Sequence, residues 1–279
     1  MPVFGLLDQR ASANPELIAL AFFDQQLTYA DLLDQTNRMA TALLRLGLQP
    51  GDRVMLMLPN CPAYAIAYYG TLKAGGIVAQ TNPLYVEREI EHLARDCEAR
   101  FIVTVDALYP RVRAVRPRTS LEHVIVANLA NAELDAAALR LEPLLAEQPA
   151  GDPGVAVDPD AVAVLQYTGG TTGLPKGAML SHSNLVANVL QTEAMGEPAE
   201  PGDVRILTIL PLFHSYGMTC CLNLGLHIGA RLVLLPRFDI DHVMQAIKRH
   251  RITQFPGVPT MYVAVLNYPN AEDYGISSI

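Results

Sequence analysis

Hydrophobic positions along the chain change period repeatedly. In "LTYADLLDQTNRMATALLRLG", Leu32, Met39, Leu43 and Leu46 recur at helical spacing. That stretch opens near Thr28, with Asp31 three residues on, and closes at Gly47, which reads as a capped helix. "DRVMLMLP" is a short apolar run and predicts a buried strand. "PAYAIAYYGTLKAGG" predicts a helix, with Pro62 near its start and glycines at its end. "GIVAQTN", "RFIVTV" and "EHVIVA" read as strands, "VEREIEHLARDC" as a helix with an acidic start, and an Ala/Leu-rich helix is expected after Asn131.

Residues 147–160, "EQPAGDPGVAVDPD", break the pattern with prolines, glycines and aspartates and read as a linker or long surface loop. The alternation then resumes. "AVAVLQYT" is a strand, a Gly-rich loop comes next, and "HSNLVANVLQTEA" is a helix. "RILTILP", "ARLVLLP" and "ITQFPGV" read as strands, with helices expected near 216–225, over "DIDHVMQAIKRHR" and from "PTMYVAVLN". Continuous apolar strands alternating with helices predict an α/β fold of parallel sheets covered on both faces. The break suggests two subdomains, residues 1–155 and 156–279.

Composition narrows the function. Among 279 residues half are hydrophobic, enough for a large core, and the formal charge of −8 argues against nucleic-acid binding. Residues 205–236 form a long apolar segment, but Pro211, His214, Asn223, His227 and Arg231 interrupt it before it reaches the roughly 18 residues of a spanning helix. No secretory leader is read at the N-terminus, and Cys61, Cys97, Cys220 and Cys221 lack metal-ligand spacing, so a reduced cytoplasmic setting is expected.

The chemistry concentrates in "YTGGTTGLPKG", residues 167–177. It leaves a core strand, where α/β sheets bind ligands. Its glycines let backbone N–H groups approach an anion, its threonines add hydroxyls, and Lys176 adds positive charge, an inventory that suits a polyphosphate. A Walker A loop needs G-x-x-x-x-G-K-S/T and a helix after it. Here Pro175 precedes Lys176, Gly177 comes directly after it, and "GAMLSH" reads as extended, so an ordinary P-loop NTPase is disfavoured.

Those residues resemble the phosphate-binding signature of the adenylate-forming superfamily, which includes acyl-CoA synthetases, luciferases and peptide-synthetase adenylation domains. The likeness continues through "AMLSHSNLVAN", "KAGGIVAQTNPLY", "LPLFHSYGMT" and "FPGVPTMYVAVLN" and covers almost the whole chain. Gly169 stands where many members carry Ser or Thr. The "TGGTTG" and "TNPLY" wording is similar to bacterial long-chain fatty acid–CoA ligases.

The resemblance implies a two-step ligase. A fatty acid carboxylate attacks the α-phosphate of MgATP, and CoA then displaces AMP from the acyl-adenylate. It assigns Thr168, Gly169, Gly170, Thr171, Thr172, Gly173 and Lys176 to the ATP phosphates, with the Thr168 hydroxyl also on Mg²⁺. It makes His214 the catalytic residue between the ATP and acyl sites. Tyr216, Gly217, Met218, Val258, Pro259 and Thr260 would line the acyl site; ordinary core packing is the other reading of these. His182 is read as ordering the turn before a helix. Arg111, Arg113, Arg116 and Arg118 are read as a solvated face, with contact to an anionic membrane surface as the alternative.

The family's adenine loop, Mg²⁺-binding Glu, ribose-holding Asp and catalytic lysine have no match in the chain. An inactive fragment of a longer enzyme is therefore expected, prone to homodimerise through exposed apolar surface. Alternatives are another acyl- or aryl-CoA ligase of the superfamily, or a non-catalytic nucleotide- or acyl-binding remnant. The loop itself is expected to be mobile without nucleotide.

Overall fold

A computed structural model describes residues 1–168, 176–196 and 199–279, except for the side chain of Thr168. In chain order the elements are α1 (Phe4–Ala13), β1 (Ile18–Phe22), β2 (Gln25–Thr28), α2 (Tyr29–Arg45), β3 (Arg53–Met57), α3 (Pro62–Lys73) and β4 (Ile77–Gln80). Next come α4 (Glu87–Asp96), β5 (Phe101–Val105), α5 (Tyr109–Val115), β6 (His123–Ala127), β7 (Ala138–Arg140) and α6 (Leu141–Ala146). The remainder is β8 (Val162–Thr168), β9 (Lys176–Ser181), α7 (His182–Met195), β10 (Arg205–Thr208), α8 (Leu224–His227), β11 (Arg231–Leu234), α9 (Ile240–His250) and α10 (Pro259–Leu266).

The strands form a seven-stranded sheet, β7-β6-β5-β3-β4-β8-β9, and a four-stranded sheet, β10-β11-β1-β2. Neighbours are parallel except at two edges, where β9 pairs antiparallel with β8 and β2 antiparallel with β1. The sheets are therefore mixed rather than wholly parallel. Short connections explain this: two residues join β1 to β2, which permits a hairpin but not a crossover.

Two compact units result. The first comprises Met1–Phe4, Asp34–Leu58 and Ala63–Leu185, and the second Gly5–Leu33, Pro59–Pro62 and Val186–Ile279. This differs from a division at residue 155. β8 pairs in parallel with β4, which places it in the first unit, and the β1–β2 hairpin pairs with β11 in the second. The Pro/Gly/Asp-rich stretch is no free linker. Asn37 donates to the Ala150 carbonyl at 2.9 Å, Arg38 donates to the Gln148 carbonyl, and the buried Lys73 ammonium meets Asp152 at 3.0 Å.

In the first unit β5 is buried throughout, and β3 and β6 nearly so, the pattern of a sheet covered on both faces. Ile90 and Leu93 of α4 and Val112 and Val115 of α5 pack with Met55, Ile102 and Val124 of the strands. In the second unit Val243, Met244 and Ile247 of α9 pack on Leu207 and Val233. Asp239 caps α9 by accepting from the His242 N–H at 3.1 Å. The cap expected before α2 is present: the Asp31 carboxylate accepts from the Thr28 N–H at 2.9 Å, and the Thr28 hydroxyl accepts from the Asp31 N–H at 3.0 Å.

Two further expectations change. The helix after Asn131 is instead β7 leading into the short α6, because Pro143 has no N–H to donate and is tolerated only in a first turn. "ITQFPGV" is not a full strand: Gln254 alone bridges to Ile206, and Pro256 ends the pairing. The helix expected near 216–225 is present, as a π-helix over Gly217–Asn223 that runs into α8.

Candidate active site

The ends of the Gly-rich segment lie on the first unit's sheet. β8 runs parallel to β4, and the segment leaves its carboxyl end, where ligands bind in such sheets. The β8–β9 ladder extends from Val162↔Ser181 to Thr168↔Lys176, so the two flanking residues are register partners. Lys176 is exposed. From Lys176 the chain runs on as the strand β9, as expected from "GAMLSH", and not as the helix of a P-loop.

One rung below, Tyr167 faces Gly177. A Cβ on Gly177 would sit 3.1 Å from the Tyr167 ring, so the glycine admits the ring. The Tyr167 hydroxyl donates to Asp96 at the end of α4 at 2.6 Å. Burial and that bond to Asp96 raise its pKa well above the ordinary phenol value. Gly169, Gly170, Thr171, Thr172 and Gly173, the Thr168 side chain, and the expected mobility of the loop all lie outside the described residues.

His214 belongs to the second unit, beyond the carboxyl end of β10. Its N–H donates to the Pro211 carbonyl at 3.0 Å, and its own carbonyl accepts from the Met218 N–H at 2.9 Å. The Tyr216 N–H donates to His214 Nδ1 at 3.3 Å. With Nδ1 as acceptor, the neutral ring carries its proton on Nε2. The ring is exposed, so Nε2 can serve as a hydrogen-bond donor to a ligand.

Gly217 and Met218 are buried, whereas Tyr216 is 41% exposed. Gly217 has a packing reason of its own: a Cβ there would lie 2.3 Å from the Pro211 carbonyl oxygen. Gln254 bridges in parallel to Ile206 of β10, and the chain from there leads to Val258, Pro259 and Thr260, all exposed at the start of α10. Burial raises the pKa of Tyr216 above the ordinary phenol value. Tyr262 donates to the Phe255 carbonyl at 3.0 Å and, with Val263 and Leu266, leaves an apolar exposed face. The structure therefore gathers His214, Tyr216 and the α10 start in one unit, and Thr168 and Lys176 in the other.

Sequence reasoning missed Asn60 and Asp96. Asn60 is the polar residue in the apolar run "LMLPNCPAYAIAYY" and is 3% exposed. A buried amide in such a run is the one signal that could have marked it.

His182, at the start of α7, is buried as expected of a structural residue. Its Nδ1 accepts from the Val3 N–H at 3.2 Å, and burial lowers its pKa to about 4. The four cysteines are free thiols, and burial pushes Cys221 up to about 12. The basic cluster is engaged within the fold: Arg113 pairs with Asp135, Arg118 with Glu91, Arg116 donates to the Glu122 carbonyl and Arg111 to that of Tyr85. Among the described residues, no cluster of three His, Cys, Asp or Glu could hold a metal ion, and no helix is long and apolar enough to cross a membrane.

The two strands that flank the Gly/Thr/Lys sequence pair at a sheet edge of one α/β unit, and the His214 turn follows β10 of the other. The model of the AMP-binding enzyme family matches residues 7–278, and the chain belongs to that family. It is 36% identical over 99% of its length to a long-chain-fatty-acid–CoA ligase of Bacillus subtilis, of which it covers 53%. It is 31% identical over 92% of its length to 4-coumarate–CoA ligase 1 of Solanum tuberosum, covering 46%. The solved long-chain-fatty-acid-CoA ligase of Archaeoglobus fulgidus superposes with a TM-score of 0.85 at 27% identity, over 95% of this chain and 53% of that one. The chain thus spans about half the length of these relatives.

Proposed function

We propose that these residues form the nucleotide- and acyl-binding part of an AMP-forming acid–CoA ligase whose acid is a long-chain fatty acid. The observation that carries the reading is the β8–β9 register Thr168↔Lys176, which pairs the two residues flanking the Gly/Thr sequence of an AMP-binding enzyme. The name of the 36% identical relative supports a fatty acid substrate. The names of the 4-coumarate ligases support a second reading, an aromatic acid, in the same site.

In the first half-reaction a carboxylate oxygen bonds to the α-phosphorus of ATP. The bond to the β-phosphate bridging oxygen breaks, and pyrophosphate leaves with that electron pair. Lys176, Thr171, Thr172 and the N–H groups of Gly169, Gly170 and Gly173 neutralise the leaving group, the largest electrostatic need of such a step. His214 Nε2–H donates to an oxygen between nucleotide and acid and holds the carboxylate in line. Tyr216, Gly217, Met218, Val258, Pro259 and Thr260 form the acyl wall. In the second half-reaction the CoA sulfur bonds to the acyl carbon, AMP leaves, and the thiol proton passes to solvent.

When bound with ATP, Mg²⁺ would screen phosphate charge, and Thr168 is the residue assigned to it. A single hydroxyl is no metal site by itself. The 279-residue chain assayed alone does not complete the reaction, since it lacks the family's adenine, ribose and lysine motifs. Its setting is the cytoplasm.

The test is product analysis of the full-length gene product with MgATP, CoA and either palmitate or 4-coumarate. AMP and pyrophosphate with palmitate are expected. ADP and phosphate would overturn the ligase reading, and AMP release with 4-coumarate alone would overturn the fatty acid.

A further inference from the structure

Among the described residues, no strand pairs with the turn that carries His214. After β10 ends at Thr208, the stretch to Leu212 still carries buried carbonyl and N–H groups that need partners. Asn60 supplies them from the connection between β3 and α3. Its Nδ2 donates to the Thr208 carbonyl at 3.1 Å and to the Leu210 carbonyl at 3.0 Å. Its Oδ1 accepts from the Leu212 N–H at 3.0 Å. Both amide donors and the carbonyl are therefore used on one five-residue stretch some 150 residues away.

That stretch carries the histidine. The Pro211 carbonyl, between Leu210 and Leu212 of the three residues Asn60 grips, accepts from the His214 N–H. The next turn is seated on the same stretch: Gly217 packs so closely on Leu210 and Pro211 that a Cβ would lie under 3 Å from both carbonyl oxygens. From that turn the Tyr216 N–H sets the ring by donating to Nδ1. We infer that Asn60 is a positioning residue for His214: its side-chain amide fixes the turn that sets the tautomer and place of the imidazole. No other side-chain type of that size offers two donors and an acceptor in one plane. Asp would keep the grip on Leu212 and set a carboxylate oxygen against two carbonyls.

The catalytic consequence rests on the proposed ligase function; the tautomer does not. In the unsubstituted chain, ring ¹⁵N shifts of His214 should show an unprotonated Nδ1 and a protonated Nε2, and the Leu212 amide should exchange slowly. Asn60→Ala and the isosteric Asn60→Asp should mix the His214 tautomers. In full-length protein they should lower the kcat of acid-dependent ATP–pyrophosphate exchange by about 10²-fold, the scale of a misplaced group, with ATP KM little changed. In a His214→Ala background the same substitutions should leave kcat unchanged. A loss of melting temperature with tautomer and kcat intact would overturn the proposal and leave Asn60 a structural residue. So would a fast-exchanging Leu212 amide or a mixed tautomer in the unsubstituted chain, a result open even if neither variant folds. A wild-type protein without exchange activity but with the single tautomer would refute the ligase reading and not the positioning.

Discussion

Replacing Gly217 with alanine probes the histidine turn through one added methyl group. The new Cβ would lie 2.3 Å from the Pro211 carbonyl oxygen, 2.8 Å from its carbon and 2.9 Å from the Leu210 oxygen. That is about 1 Å short of ordinary contact. The obstructing atoms are backbone, held by Asn60 at Leu210 and by the His214 N–H at Pro211, so no side chain can swing aside. Overpacking of this kind costs about 1–3 kcal/mol. Alanine's helical preference over glycine returns about 1 kcal/mol, which leaves a net loss of up to about 2 kcal/mol. Because the displaced carbonyl carries the His214 N–H, the ring must shift with it, and exchange activity of the full-length protein should fall by up to about 10²-fold. Urea denaturation reads the first effect and acid-dependent ATP–pyrophosphate exchange the second. Gly151→Ala is the control, since nothing lies within 4 Å of its Cβ position. Stability within about 0.5 kcal/mol of the parent, together with full exchange activity, would refute the reasoning.

Tyr167→Phe removes the hydroxyl held by Asp96 and should cost about 1.5–3 kcal/mol in denaturant titration, as for a bond to a charged group; unchanged stability would show the clamp to be idle. His182 has a folded pKa of about 4 against 6.5 unfolded, so the unfolded chain binds the extra proton as pH falls. Stability from this group is therefore whole above pH 6.5 and is lost progressively towards pH 4, by about 3 kcal/mol. His182→Gln should flatten that part of the urea-midpoint profile, and an unaltered slope would contradict the assignment. Lys176→Ala should raise the adenylation barrier by about 2–4 kcal/mol and spare thiolation of pre-formed acyl-adenylate; equal losses in both half-reactions would remove the lysine from the phosphate role.

Local signals in the sequence carried most of the fold. The capping residues Thr28 and Asp31, the apolar run before Thr168 and the extended "GAMLSH" were legible because each depends on neighbours in sequence. The β1–β2 hairpin was not, because Phe23 takes the positive φ at its turn, where glycine or asparagine would have given the signal. The second sheet edge escaped for a related reason: antiparallel pairing of β9 depends on which strand it meets, not on its own pattern. The Gly/Thr/Lys sequence and His214 were legible as motifs. Their supports, Asn60 and Asp96, were not, since each acts on a partner some 70 to 150 residues away.

The central claim is that an acid's oxygen attacks the α-phosphorus of ATP in the full-length protein. A fatty acid labelled with ¹⁸O in both carboxyl positions tests it in one turnover. The bridging oxygen stays on phosphorus when the thiol displaces AMP, so mass spectrometry should find AMP carrying one ¹⁸O. Acyl-CoA formed with unlabelled AMP would contradict the claim.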